Sequence, residues 1–289
     1  MTPPRSWGGG GARPLRNASP GRLLAVALAL TLAGCTARDV AAGEDALARG
    51  DLVAAEIAWR RVLEDDPTRA EALHGLGWTL HLAGRQDLAR DTFARLDALH
   101  PESALGPRGL GSVALAAGNV AVARERFQNA LARTPGDLGA RQGLALVALA
   151  SGDPAAALTA LEPLIVEAPD RVELHLARVR ALLAAERPED AAEASGEALR
   201  RAADASPRLR GQAAVMRARA LAAASAGRVR PARCASAATA VRAWLDEADR
   251  VLDAAEAEGV RPPELPDTRR AVLRQRRAVD AACPPGVGG

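Results

Sequence analysis

The stretch Gly84–Pro101, GRQDLARDTFARLDALHP, carries a turn glycine, a helix's worth of amphipathic sequence and a proline. The chain writes nearly the same phrase three more times, as GDLVAAEIAWRRVLEDDP from Gly50, GNVAVARERFQNALARTP from Gly118 and GDPAAALTALEPLIVEAP from Gly152. The landmarks keep a period of 34 residues. Gly50, Gly84, Gly118 and Gly152 form one series, and Ala55, Ala89, Ala123 and Ala157 a second. Trp59, Phe93, Phe127 and Leu161 form a third, Pro67, Pro101, Pro135 and Pro169 a fourth. Gly43, Gly77, Gly111 and Ala145 make a fifth, with Leu76, Leu110 and Leu144 one residue before three of them. Each series has a mechanical reading. The turn glycine permits a backbone reversal that a side chain resists. Alanine and the upstream glycines let helices approach closely, the large apolar residue plugs the gap between helix pairs, and the proline stops the second helix.

Five series in phase over residues 36–171 resemble the tetratricopeptide repeat, a 34-residue helix–turn–helix unit. The resemblance implies an all-α fold in which helix pairs, each too small to bury its apolar face alone, stack into a right-handed superhelical solenoid with a concave inner surface. The units fall at 36–69, 70–103, 104–137 and 138–171. Pro163 stands inside an expected second helix, which it should kink or shorten. A degenerate unit follows at 172–205. It keeps Leu182 and Ala191 but has Arg178 at a leucine position and Ser195 at the aromatic one, and closes the array 35–205. Residues 206–283 read as divergent helices at roughly 208–225, 232–258 and 266–283, with Asp267 or Thr268 as cap of the last and Pro284-Pro285 as its stop. Residues 284–289 and most of 1–34 are expected to be disordered.

Alanine, leucine and arginine dominate the composition, a helix-forming mixture with few aromatics and no tyrosine. The formal charge of +3 is misleading, because residues 1–34 carry Arg5, Arg13, Arg16 and Arg22 and no acid. Residues 36–205 hold 19 arginines and 26 acids, whereas 206–289 hold 15 arginines and 9 acids. The two parts therefore differ in sign, which reads either as two solvated surfaces or as a partner signal.

Arg13, Arg16 and Arg22 precede an apolar run, Leu23 to Ala33, too short for a membrane-spanning helix. Basic residues, a short apolar run and small residues make an export signal. Its end, Leu32-Ala33-Gly34-Cys35, resembles the lipobox of bacterial lipoproteins. That resemblance implies residues 1–34 as a signal peptide and Cys35 as the lipid attachment site. Two or three acyl chains there hold essentially permanently, at about 0.8 kcal/mol per buried methylene. Thr36 after the cysteine implies the outer membrane, facing the periplasm. Plain secretion and an uncleaved anchor are the alternatives. With Cys35 lipidated, Cys234 and Cys283 remain, at ends of neighbouring antiparallel helices, and a disulfide between them is expected; two buried thiols are the alternative.

Catalytic chemistry is not advertised. Gly109-Leu110-Gly111-Ser112-Val113-Ala114 formally matches the dinucleotide fingerprint, but that motif needs a preceding strand, and Gly111 already belongs to the repeat. His74 and His81 share a helix face about 10.5 Å apart, too far for one metal ion. No cofactor, metal, nucleic acid or small-molecule substrate is expected.

In the family the first helix of each unit lines the concave groove through its second, fifth, ninth and twelfth positions. By register these are Glu71, His74, Trp78 and His81, then Leu105, Arg108, Ser112 and Leu115, then Gly139, Gln142, Leu146 and Leu149. A protein partner in this groove is what the resemblance implies. Trp78 between two histidines reads either as an interface anchor or as a residue packed within the array. Arg269, Arg270, Arg274, Arg276 and Arg277 on the last helix read as a solvated basic face or as a contact for anionic lipid or an acidic partner. A non-catalytic, membrane-anchored adaptor or assembly factor of the bacterial envelope is the leading expectation. A structural module acting by self-association or cell-wall contact is the alternative.

Overall fold

The repeated glycine closes the first helix of four units in the same way. In a computed structural model that describes residues 37–226, 234–257, 259 and 264–283 (side chains from 238 in the second segment), Gly50, Gly84, Gly118 and Gly152 have φ of 75–78°. The amide of each bonds the carbonyl three residues back, as Gly84 N–H does to His81 (3.1 Å), and the next amide reaches five back, as Arg85 N–H does to Leu80 (2.9 Å). This double closure satisfies carbonyls left open at a helix end and reverses the chain in two residues. The unit 172–205 makes the same two bonds with Glu186, at φ 55°, where the other units have glycine.

The result is a run of paired helices. They are α1 (37–49), α2 (Leu52–Asp65), α3 (Ala70–Leu82), α4 (Gln86–Leu99), α5 (Leu105–Ala116), α6 (Val120–Arg133), α7 (Leu138–Ala150), α8 (Pro154–Glu167), α9 (Val172–Ala184) and α10 (Pro188–Arg201). Three longer helices continue the stack: α11 (Pro207–Ser225), α12 (Cys234–Ala257) and α13 (Leu265–Ala282). From α2 onward, each helix packs on the next, and the odd-numbered ones from α3 to α13 also pack on each other in sequence. The odd helices therefore form an inner layer and the even ones an outer layer. The fold is an all-α tetratricopeptide-type solenoid with divergent C-terminal helices. No strand occurs among the described residues.

The plugs explain the stacking. Trp59, Phe93, Phe127 and Leu161 are at most 2% exposed. Each aromatic lies between two glycines on successive odd helices: Trp59 against Gly43 and Gly75, Phe93 against Gly77 and Gly109, Phe127 against Gly111 and Gly143. A Cβ on any of these six would come within 2.9 Å of a ring atom. Where the plug shrinks to Leu161, the matching positions are Ala145 and Ala177, all three in one buried cluster. Large plug with glycine pairs and small plug with alanine pairs keep the interior filled, as close-packing demands. At Ser195 the plug is missing. The hydroxyl is buried and donates to Ala192 O (2.8 Å), and the Arg217 guanidinium enters from α11, donating to the same carbonyl and lying 3.4 Å from Ser195 Oγ. Its other side holds Glu247 of α12 at 2.8 Å.

The structure corrects the expected shortening at Pro163 and the expected cap of the last helix. α8 is 14 residues long, like α2, α4, α6 and α10, so Pro163 does not shorten it. Pro163 and Thr159, whose carbonyl loses its donor, are both exposed, so the freed carbonyl is open to solvent. The last helix begins at Leu265, with Glu264 as its cap residue and Pro266 in its first turn, so neither Asp267 nor Thr268 caps it; the Thr268 hydroxyl instead donates to Glu264 O (2.8 Å). Its basic face is largely engaged. Arg269 holds Asp253 and Glu256, and Arg276 holds Asp246 and Asp249, all on α12 at 2.7–2.9 Å, while Arg270 pairs with Asp267.

Cys283 is buried and disulfide-bonded. Arg242 of α12 pairs with Asp280 (3.2 Å) and donates to Cys283 O, which sets the end of α13 beside the start of α12. The side chain of Cys234 lies outside the described residues, as do the signal region 1–34, Cys35 and the tail 284–289. No described helix is long and apolar enough to cross a membrane.

Candidate partner-binding groove

The inner layer brings the register positions of α3, α5 and α7 side by side. His74 and Arg108 hold the same place in successive units, and they touch: Arg108 Nη2 lies 2.9 Å from His74 Nε2. Trp78, one turn along α3, donates its indole N–H to that same nitrogen at 2.8 Å. Indole nitrogen can only donate, so His74 Nε2 carries a lone pair and the ring proton sits on Nδ1. Arg108 reaches on with Nη1 to Asp137 Oδ2 (2.9 Å). Asp137 Oδ1 accepts the amide of Ala140 (2.6 Å) as N-cap of α7. One polar chain thus runs from Trp78 through His74, Arg108 and Asp137 into a helix end, tying three units together.

Burial tunes this chain. His74 is pushed down from 6.5 to about 4, first by desolvation and then by the Arg108 charge, with Asp137 opposing. It is neutral at physiological pH, which its role as acceptor requires. His81 is also lowered, chiefly by burial, while its Nδ1 contact with Gln86 Oε1 (2.8 Å) opposes. The two histidines serve separate partners. Gly139 lies under Arg108, where a Cβ would come 2.8 Å from Arg108 Cδ, so the missing side chain makes room for the guanidinium.

Trp78 is half-buried and packs edge-on against Phe93 (ring centroids 5.8 Å, 76°) and His81 (5.4 Å, 83°). Part of the ring is held within the array, against Phe93. Ser112 donates to Arg108 O (3.2 Å), while Gln142 is half-buried with no hydrogen-bond partner among the described residues. Glu71 is exposed and held by Arg69 at 3.1 Å. Leu105, Leu115, Leu146 and Leu149 are partly buried against the seams between units.

The register reading missed Asp137, which closes the chain; its signal is its place before a helix after Pro135-Gly136, where a carboxylate caps. It also missed the second glycine of each plug, Gly75, Gly109 and Gly143, which repeats every 34 residues like the first. Gly109 and Gly111 lie inside α5, each against an aromatic ring.

Known proteins agree with this geometry. Two family models, each described as tetratricopeptide repeat, match residues 40–104 and 114–178. No curated protein matches the chain. Among solved structures, a tetratricopeptide repeat protein from Parabacteroides merdae is 16% identical, with a TM-score of 0.59 over 82% of this chain and 84% of its own. A thermophilic TPR protein of Thermus thermophilus is 21% identical, with a TM-score of 0.56 over 63% of this chain and 98% of its own. The Cut9–Hcn1 hetero-tetramer of the APC/C is 15% identical, with a TM-score of 0.61 over 82% of this chain and 43% of the matched one. At these identities the likeness is one of fold. With the family matches, the 34-residue period and the plugged stack of helix pairs, residues 40–104 and 114–178 are tetratricopeptide repeats, a protein-interaction module.

Proposed function

We propose that this chain is a non-catalytic adaptor or assembly factor of the bacterial envelope, anchored through lipid on Cys35, that grips a protein segment along the inner faces of α3, α5 and α7. The observation that carries the groove reading is the chain Trp78–His74–Arg108–Asp137. It holds an aromatic ring and a guanidinium in fixed positions on the concave side, and side chains ordered before binding lose less entropy on association. Aromatic rings and arginine are also the side chains that most often dominate interface energies. The anchor rests on the basic, apolar and small-residue order ending at Cys35, and places the array on the periplasmic side of the outer membrane. In an oxidising compartment Cys283 pairs with Cys234, stapling α12 to α13.

Capture from native membranes tests the groove. Alanine at Trp78 and Arg108 should weaken capture of the co-purifying protein at least tenfold while the circular dichroism spectrum keeps its helical signal. Undiminished capture by a folded double variant contradicts the assignment. Mass measured by light scattering should stay that of one chain as concentration rises; growth with concentration favours the self-associating module instead.

A further inference from the structure

Two arginines of the inner layer are partly withdrawn from water and have no hydrogen-bond or ion-pair partner among the described residues. Arg180 occupies the ninth position of α9, in one column with Trp78, Ser112 and Leu146. Arg208 lies in the first turn of α11, and Arg219 follows eleven residues later on the same face, about 16 Å along the axis. α9 and α11 pack side by side in the inner layer, with α13 against α11. Arg208 also meets the first unit: a Cβ on Gly50 would stand 3.9 Å from Arg208 Cβ.

Arg180 and Arg208 are both partly buried, yet neither has a hydrogen bond or ion pair among the described residues. Some other partly buried arginines are held, Arg108 by Asp137, Arg133 by Asp97 and Arg217 by Glu247, whereas Arg126 and Arg178 also lack a hydrogen bond or ion pair among the described residues. Burial lowers both guanidinium groups from their ordinary value, and they repel: Arg180 acts on Arg208, and Arg219 on Arg180. Glu264 opposes this for both, and Glu173 for Arg208, each from beyond ion-pair distance. Glu173 is itself 3.9 Å from Arg171. Among the described residues, Arg180, Arg208 and the exposed Arg219 thus stand against two acids, Glu173 and Glu264. A buried, unpaired charge is unfavourable until an opposite charge joins it.

We propose that Arg180 and Arg208 receive the carboxylates of an acidic peptide segment of a partner protein, laid along the concave face between α9 and α11. The proposal rests on the groove reading above and names the chemistry of what the groove takes. The planar guanidinium fork matches a carboxylate in bidentate geometry, and the partial burial strengthens each such bond.

The test is fluorescence anisotropy of the full chain with fluorescein-labelled hexaglutamate, with labelled hexalysine as control. Hexaglutamate should bind saturably and more weakly as salt rises, and hexalysine should not bind. Arg180→Gln with Arg208→Gln should weaken binding at least tenfold, whereas Arg277→Gln, at an exposed position of α13, should leave it unchanged. The pair Arg180→Lys and Arg208→Lys keeps charge, loses the fork and should fall between, which keeps the test decisive if the glutamine pair does not fold. Absent hexaglutamate binding, equal loss with Arg277→Gln, or no loss in any folded Arg180 and Arg208 variant overturns the proposal. So does association with phosphatidylglycerol vesicles that depends on these arginines while hexaglutamate stays free. If the glutamine pair still captures the native partner as wild type does, the acidic-segment proposal fails and the groove assignment stands.

Discussion

Single residues in this solenoid are tuned by burial more than by their own chemistry. His74 illustrates the point, because the fold holds it neutral to accept bonds from Trp78 and Arg108. The unfolded chain takes up a proton near 6.5, the folded chain at about 4, so the unfolded state binds more protons between those values. Stability is therefore full above 6.5 and declines as pH falls toward 4. Between pH 7 and pH 5 the decline from this group is on the order of 2 kcal/mol. Denaturant midpoints measured across that range should fall for the wild type and flatten in His74→Gln, with a remnant from His81. A second residue works against the fold. Glu186 adopts the left-handed turn that glycine takes in four other units. Glu186→Gly should raise the stability by about 1 kcal/mol, seen as a higher denaturant midpoint at unchanged slope. The departure of the fifth unit at this turn is legible in the sequence as a missing glycine, but the retained bond pattern is visible only in the backbone.

At the scale of helices, the governing rule is that plug volume and helix approach are matched across unit boundaries. Gly109 and Gly139 show what this means energetically. Both lie in inner-layer helices, where alanine is by about 1 kcal/mol the better helix former. A Cβ on Gly109 would stand 2.2 Å from Phe93 Cδ1, and that ring is fully buried between α3 and α5. Gly109→Ala should destabilise by about 1–3 kcal/mol, since neither helix nor ring can yield without opening the seam. Gly139→Ala meets the methylene stem of Arg108, which can shift by tenths of an ångström while the guanidinium stays on His74 and Asp137, and should change stability by less than about 1 kcal/mol. Chemical denaturation of the two variants side by side checks this contrast. Period and plug were readable because they repeat with large residues. The second glycine of each plug was not, because it serves the preceding unit and its meaning appears only when two units stack. Asp137 was missed for a related reason: it joins the groove by capping α7, a local role that hides the distant one. The full length of α8 across Pro163 and the start of α13 after Glu264 turn on solvent exposure and on one proline, which spacing does not reveal.

Across the whole molecule, seams between neighbouring pairs replace a single central core; among the described residues they form four buried clusters that follow one another from α1 to α13. The C-terminal helices lose the 34-residue landmarks yet keep the stacking, through Arg217 in place of a plug and ion pairs between α12 and α13. That architecture offers two faces of different character, and the account assigns the partner to the inner one. The most direct measurement is site-specific photocrosslinking in cells producing the full chain, with a photoreactive residue at Gln142 on the inner layer or at Glu125, exposed on the outer layer. The account predicts a discrete protein adduct from position 142 that Trp78→Ala with Arg108→Ala abolishes, and none from position 125. An adduct from position 125 alone, or one at 142 untouched by those substitutions, would contradict it.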